Sequence, residues 1–346
     1  MMKKLLAFAL ATAMMLPLVA CGSPTSSETN PPDSSDGTGG TGETITLSVA
    51  FTPADETPEG AWAAEFKRLC EEKSGGQLEV QIYPAGQMGT DREILESTQF
   101  GSISIGYTGL TQWTNFVEDL NYLDGPFVCS TREQVYSLFE DEGFNEILTD
   151  RMENAGYHYL GAFLLGFREL TCNKEINAVS DLSGMKIRVI ESPTPLALWS
   201  ALGCNPTPLA FAEVYTALQQ GTVDAQENPV TNIYDKKFYE QQEYLYLTNH
   251  QVHPDFVAMN LDLYNSFSDE LKKIIDESAN AALSAANQFA EENEELQLQE
   301  MNDYGCQVVT PSDTVLAEMY DATQSVRDDL AKTYPEFADA VNAVIQ

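Results

Sequence analysis

The sequence runs to 346 residues, 43% of them hydrophobic, which is enough for about two domains. Its 53 acidic and 18 basic side chains leave a net charge of −35. A chain this acidic repels phosphate backbones and anionic lipid surfaces, so nucleic acid is excluded as a partner class.

Lys3 and Lys4 form a positive start, Leu5–Val19 is apolar, and Leu18-Val19-Ala20-Cys21 puts small residues and a cysteine where cleavage would fall. The pattern resembles the bacterial lipoprotein signal. That resemblance implies that residues 1–21 are a leader, that Cys21 carries the lipid, and that the body is anchored outside the cytoplasmic membrane. Pro17 and the short apolar run make a poor membrane span. Residues 22–43, rich in Gly, Ser, Thr and Pro, read as a flexible linker.

Thr44–Phe51 alternates and is read as the first strand. Pro58–Ser74 is helical, stopped by Gly75-Gly76. Leu78–Tyr83 is a second strand, Asp91–Gln99 a helix capped by Thr90 or Asp91, and Ile103–Tyr107 a third strand. This β-α-β-α-β order predicts a parallel sheet with right-handed crossovers. Phe127–Phe139 and Phe144–Asn154 read as helices and Tyr157–Phe163 as a strand.

The second half repeats the scheme. It has strands over 168–172, 185–190, 204–209, 222–226 and 244–250, and helices over 193–202 and 211–220. His250-Gln251-Val252-His253-Pro254 reads as a strand entering a turn. From Ser268, apolar and small residues follow helical spacing through Phe289, with acidic and amide residues running on to Glu300. A helix of roughly thirty residues is about 45 Å long, so it is expected to span both domains.

The fold class predicted is α/β: two domains, each a mainly parallel sheet flanked by helices. Domain I is placed at 44–165 plus about 251–290, and domain II at 166–250 plus about 291–346.

Catalytic motifs are missing: there is no GxSxG, HExxH or P-loop. His250 and His253 are not read as a metal pair, and no cofactor is expected. Cys70, Cys129, Cys172, Cys204 and Cys306 lack metal-like spacing and read as small buried thiols, with a Cys172–Cys204 disulfide left open.

What remains is a constellation suited to a carboxylate. Arg188 lies in an alternating, largely buried run, where a guanidinium needs an anionic partner from the chain or from a ligand. Its planar fork can meet a carboxylate through two parallel hydrogen bonds. Arg168 adds charge, Asn228 can donate an amide hydrogen bond, and Phe211 can supply an apolar wall. For Arg168 a surface ion pair is an equal reading, and for Asn228 an Asn-Pro turn is the simpler one.

From about Thr44 to about Ala290 the chain resembles the extracytoplasmic substrate-binding subunit of TRAP transporters, the C4-dicarboxylate-binding-protein (DctP) family. The resemblance rests on Tyr83-Pro84-Ala85-Gly86-Gln87-Met88-Gly89, Gly166-Phe167-Arg168, Gly184-Met185-Lys186-Ile187-Arg188-Val189, Phe211-Ala212-Glu213-Val214-Tyr215-Thr216-Ala217-Leu218 and Asp224-Ala225-Gln226-Glu227-Asn228-Pro229. It implies a two-domain, periplasmic-binding-protein-like (type II-like) fold in which Arg188 bridges the substrate carboxylate, Arg168 and Asn228 assist, and Phe211 lines the pocket. It further implies that Arg92, Tyr107 and Thr108 read the rest of the substrate. The implied activity is capture of a small organic acid and its delivery to membrane permease subunits, without covalent chemistry. A sensor that presents its ligand to a receptor kinase, and an exported enzyme on the same scaffold, are the alternatives.

Overall fold

The computed structural model describes residues 44–345. The leader, Cys21 and the 22–43 linker lie outside the described residues. So does Gln346.

Nine strands form one mixed sheet: β1 (Ile45–Ala50), β2 (Leu78–Tyr83), β3 (Ile105–Gly109), β4 (Tyr157–Cys172), β5 (Lys186–Val189), β6 (Asn205–Pro208), β7 (Ala225–Pro229), β8 (Tyr244–Asn260) and β9 (Gln307–Val309). Their order is β2-β1-β3-β8-β4-β7-β5-β6, with β9 beside β8. β2-β1-β3 at one end and β7-β5-β6 at the other are parallel, as the alternation of strands and helices requires. The antiparallel β4 and β8 join the two ends through the middle.

Three elements differ from the sequence reading. β4 runs unbroken from Tyr157 to Cys172 where two strands are expected, because bulges at Gly161 and Gly166 absorb the irregular spacing. β8 continues to Asn260 instead of turning at Pro254. Residues 127–131 are not helical: the helix begins at Arg132, where Thr131 and Gln134 form a capping box.

Helices cover both faces. Trp62, Phe66, Leu47, Val49, Phe163 and Val257 belong to one core cluster; Trp113, Phe144, Leu148, Tyr157 and Phe256 belong to another on the same half. Leu170, Ile187, Val189 and Trp199 anchor the second half, with Val214, Ile233 and Phe238 forming its other cluster. The helix Asp269–Tyr304 has 36 residues, about 54 Å at 1.5 Å per residue. Its small residues Ser278, Ala279, Ala282 and Ala286 are buried. It packs on the Pro58–Lys73 helix in the first half and on β9 and the Val230–Asp235 helix in the second. The C-terminal helix Pro335–Ile345 buries Phe337 and Val341 among first-half residues, although the sequence reading groups it with domain II. All five described cysteines are buried and free.

Candidate functional site

The carboxyl ends of β1, β3, β5 and β7 converge on one small cavity of about 30 Å³, within about 400 Å³ of atom-free space that includes open solvent. Open α/β sheets place ligand crevices at such strand ends. Two helix starts face it. Thr57 caps the Pro58–Lys73 helix and puts Glu59 in its first turn. Thr90 and Glu93 form a capping box that puts Asp91 at the head of the Asp91–Gln99 helix.

Arg188 enters from β5 and is 1% exposed. Its Nε and Nη2 both donate to the Leu209 carbonyl, at 3.0 and 2.7 Å. This fixes the guanidinium plane, yet Nη1 is buried without a partner. The group makes no ion pair among the described residues. Burial pulls its pKa down to about 10, against the upward pull of Glu227, so it stays cationic at neutral pH.

Arg168, on β4, is one layer behind. It meets Glu227 through Nε–Oε2 and Nη2–Oε1, the latter at 2.9 Å, and Nη2 also donates to the Glu227 carbonyl. Burial alone would raise the Glu227 carboxyl. The Arg168 charge and hydrogen bonds from His250 and Arg168 overcome it and hold the group at about 2. Nη1 of Arg168 lies 2.6 Å from His253 Nδ1; because an arginine only donates, Nδ1 is the acceptor. Burial and the Arg168 charge keep His253 neutral, its pKa well below the usual range. Arg168 is thus committed to Glu227 and His253 and is not among the residues lining the cavity.

Asn228 does line it. Its amide donates to Gln226 Oε1 at 2.6 Å, and its Oδ1 accepts from Arg168 at 3.3 Å. Phe211 presents its ring beside the opening, edge-on to Phe238, with Lys236 Nζ 5.6 Å from its centroid. Thr108 is also in the wall.

Tyr107 is not. Strand alternation turns it to the opposite face, where it stacks on Phe51 and donates to the Glu59 carbonyl at 2.7 Å. Arg92 is not in the wall either. It follows Asp91 on the helix, points outward, and pairs with Glu96 at 2.9 Å with its side chain 54% exposed.

Glu59, Asp91 and Asp255 belong to the cavity without being singled out by the sequence, and so does His253, which the sequence offers only as half of a rejected metal pair. Burial raises all three carboxyls, Glu59 to about 7 and Asp255 well above its usual range. Asp91 accepts from Thr52 at 2.6 Å. His253 Nε2 stands 3.5 Å from Asp255 Oδ1, too far for a hydrogen bond. Gly109 makes room for this: a Cβ there would lie 2.3 Å from His253 Cε1. The described residues hold no group of three or more His, Cys, Asp or Glu arranged for a metal ion, and no described helix is long and apolar enough to cross a membrane.

The family model described as bacterial extracellular solute-binding protein, family 7 matches residues 49–333. The 2,3-diketo-L-gulonate-binding periplasmic protein YiaO of Escherichia coli K12 is 29% identical over 284 residues, 82% of this chain and 86% of that one. A TRAP periplasmic solute binding protein from Polaromonas sp JS666, bound to D-erythronate, superposes with a TM-score of 0.83 at 29% identity, covering 88% of this chain and all of the other. One from Sulfurospirillum deleyianum, with bound succinate, gives 0.81 at 29% identity, covering 86% and 98%. These are solute-binding proteins, not enzymes, and the sensor alternative draws no support from them.

Proposed function

The chain belongs to the bacterial extracellular solute-binding protein family 7, and from that premise we propose that Arg188 is the group with which it holds its solute, a small organic acid destined for TRAP permease subunits. One observation carries the assignment: a buried guanidinium, fixed by a backbone carbonyl, keeps one donor free in the cavity and has no internal carboxylate. A ligand carboxylate supplies the missing anion. Burial of the guanidinium, 1% exposed, makes that contact worth more than a surface pair. Asn228 and Phe211 complete the pocket on the same side, while Arg168 acts through Glu227 and His253. The three matched proteins named above bind acids, each with at least one carboxylate.

Two lobes close on the ligand in this reading, hinged on β4 and β8. Lobe one is 44–165 with about 251–290, to which we add the Pro335–Ile345 helix because of its packing; lobe two is the remainder. Ligand bridging both walls favours the closed state by its extra contacts there. We also propose lipid anchoring through Cys21, on the leader pattern alone.

The test is calorimetry with D-erythronate, 2,3-diketo-L-gulonate and succinate on the native protein and Arg188→Lys. Lysine keeps the charge and loses the fork. At least one acid is expected to bind the native protein, with most of its affinity lost in the variant. Equal binding by both proteins refutes the assignment.

A further inference from the structure

The two walls of the cavity differ in chemistry. The second-half wall offers a donor, Arg188 Nη1. The first-half wall offers acceptors: Glu59 Oε2 and Asp255 Oδ1 are both buried and lack any partner, and the residues are 1% and 2% exposed. Asn232 Oδ1, also in the lining, is a third buried acceptor without a donor. The Thr52 hydroxyl is used on Asp91, and the His253 ring stops 3.5 Å short of Asp255. No lysine or arginine of the first half lines the cavity. Buried acceptors this close to an opening need donors, which come from water or from a ligand that displaces it.

Accepting the carboxylate reading of Arg188, we propose that the ligand is a monocarboxylate whose far end carries hydrogen-bond donors, hydroxyl or ammonium, and no second carboxylate. A dicarboxylate would set its other charge against Glu59 and Asp255. With those groups protonated, each could donate one O–H to it, but their remaining oxygens and Asn232 Oδ1 would still lack donors. A hydroxy or amino acid satisfies both walls at once: its carboxylate receives from Arg188, and its donors serve Glu59, Asp255 and Asn232. Burial raises Glu59 to about 7, consistent with a site whose acids lack a counter-charge until it is filled. The carboxylates are not grouped in threes for a metal ion among the described residues.

Three four-carbon acids that differ at the far end test this: succinate, D-erythronate and 4-aminobutanoate, titrated into the full chain at pH 7. Hydrogen bonds to charged or buried partners set the scale. D-erythronate or 4-aminobutanoate is expected to bind at least about tenfold more tightly than succinate. The preferred one identifies the donor as hydroxyl or ammonium. Asp255→Asn and Glu59→Gln are expected to narrow the gap, and two variants guard against one that fails to fold. Succinate binding as tightly as both others overturns the inference and leaves carboxylate capture standing. Binding of none of the three overturns both.

Discussion

Arg168 and Glu227 are diagonal neighbours across the seam between β4 and β7, both buried, in a two-pronged ion pair that also ties in His253. Arg188, on the adjoining β5, has only a backbone carbonyl for company. Two fully buried guanidinium groups in one half of the sheet thus carry different duties.

That difference predicts opposite phenotypes. Glu227→Gln strands a buried charge, and breaking such a pair costs roughly 3–5 kcal/mol. Arg188→Met strands none, so its stability should stay within about 1 kcal/mol of native while acid binding collapses. Urea denaturation and calorimetry on both variants check the split. A stable Glu227→Gln, or a badly unstable Arg188→Met, reverses the roles.

The stability of the unliganded protein should fall as pH rises through the weakly acidic range. Burial raises Glu59 from 4.5 to about 7, so the folded state keeps a proton that the unfolded chain has already lost. Its contribution is complete below pH 4.5 and gone above about 7. Asp124 and Glu169, each raised to about 8 by burial, act in the same direction. Glu227, held at about 2, acts oppositely and only below 4.5, while the lowered His250 and His253 oppose the decline below about 6.5. Melting temperatures measured from pH 4.5 to 8 should decline, and Glu59→Gln should flatten the curve below pH 7. An unchanged slope in that variant argues that Glu59 titrates normally.

Gly109→Ala should disturb the site without touching a polar group. The added methyl meets the His253 ring at 2.3 Å. Overpacking of this kind costs typically about 1–3 kcal/mol. The ring must move, and its contact with Arg168 should lengthen. A lower melting temperature together with weaker acid binding is the expected result. Native behaviour in both would mean that the ring has slack.

Arg92→Ala should change little. The Arg92–Glu96 pair is an exposed i,i+4 contact worth about 0.5 kcal/mol or less. Acid affinity should be unaltered. A tenfold drop would return Arg92 to the ligand-reading role that the family resemblance implies.

Much of this was legible in the residues, for identifiable reasons. The alternating run around Arg188 and the helical spacing of 58–73 depend on local periodicity, which the fold respects. The Thr90–Glu93 box marks its helix start by its own chemistry. β4 and β8 were read in fragments because glycines and Pro254 break the pattern, while the pairing that carries the strands through is long-range. Arg168 could be assigned a ligand role or an ion pair, and only the β4–β7 register, which sets Leu170 opposite Glu227, decides for the pair. The acidic wall was invisible: among 53 acidic side chains, nothing local separates Glu59, Asp91 and Asp255 from solvated ones. Burial singles them out, and burial is a property of the assembled sheet.

The carbonyl of Leu209 orients the anchoring arginine from the main chain. A peptide oxygen survives any exchange of its own side chain, so the aim of that arginine is insulated from sequence drift at position 209. The far wall has no such insulation, since each of its acceptors is a replaceable side chain. Descendants of this chain could therefore swap cargo by single substitutions opposite the anchor while the docking point for the acid head stays where it is.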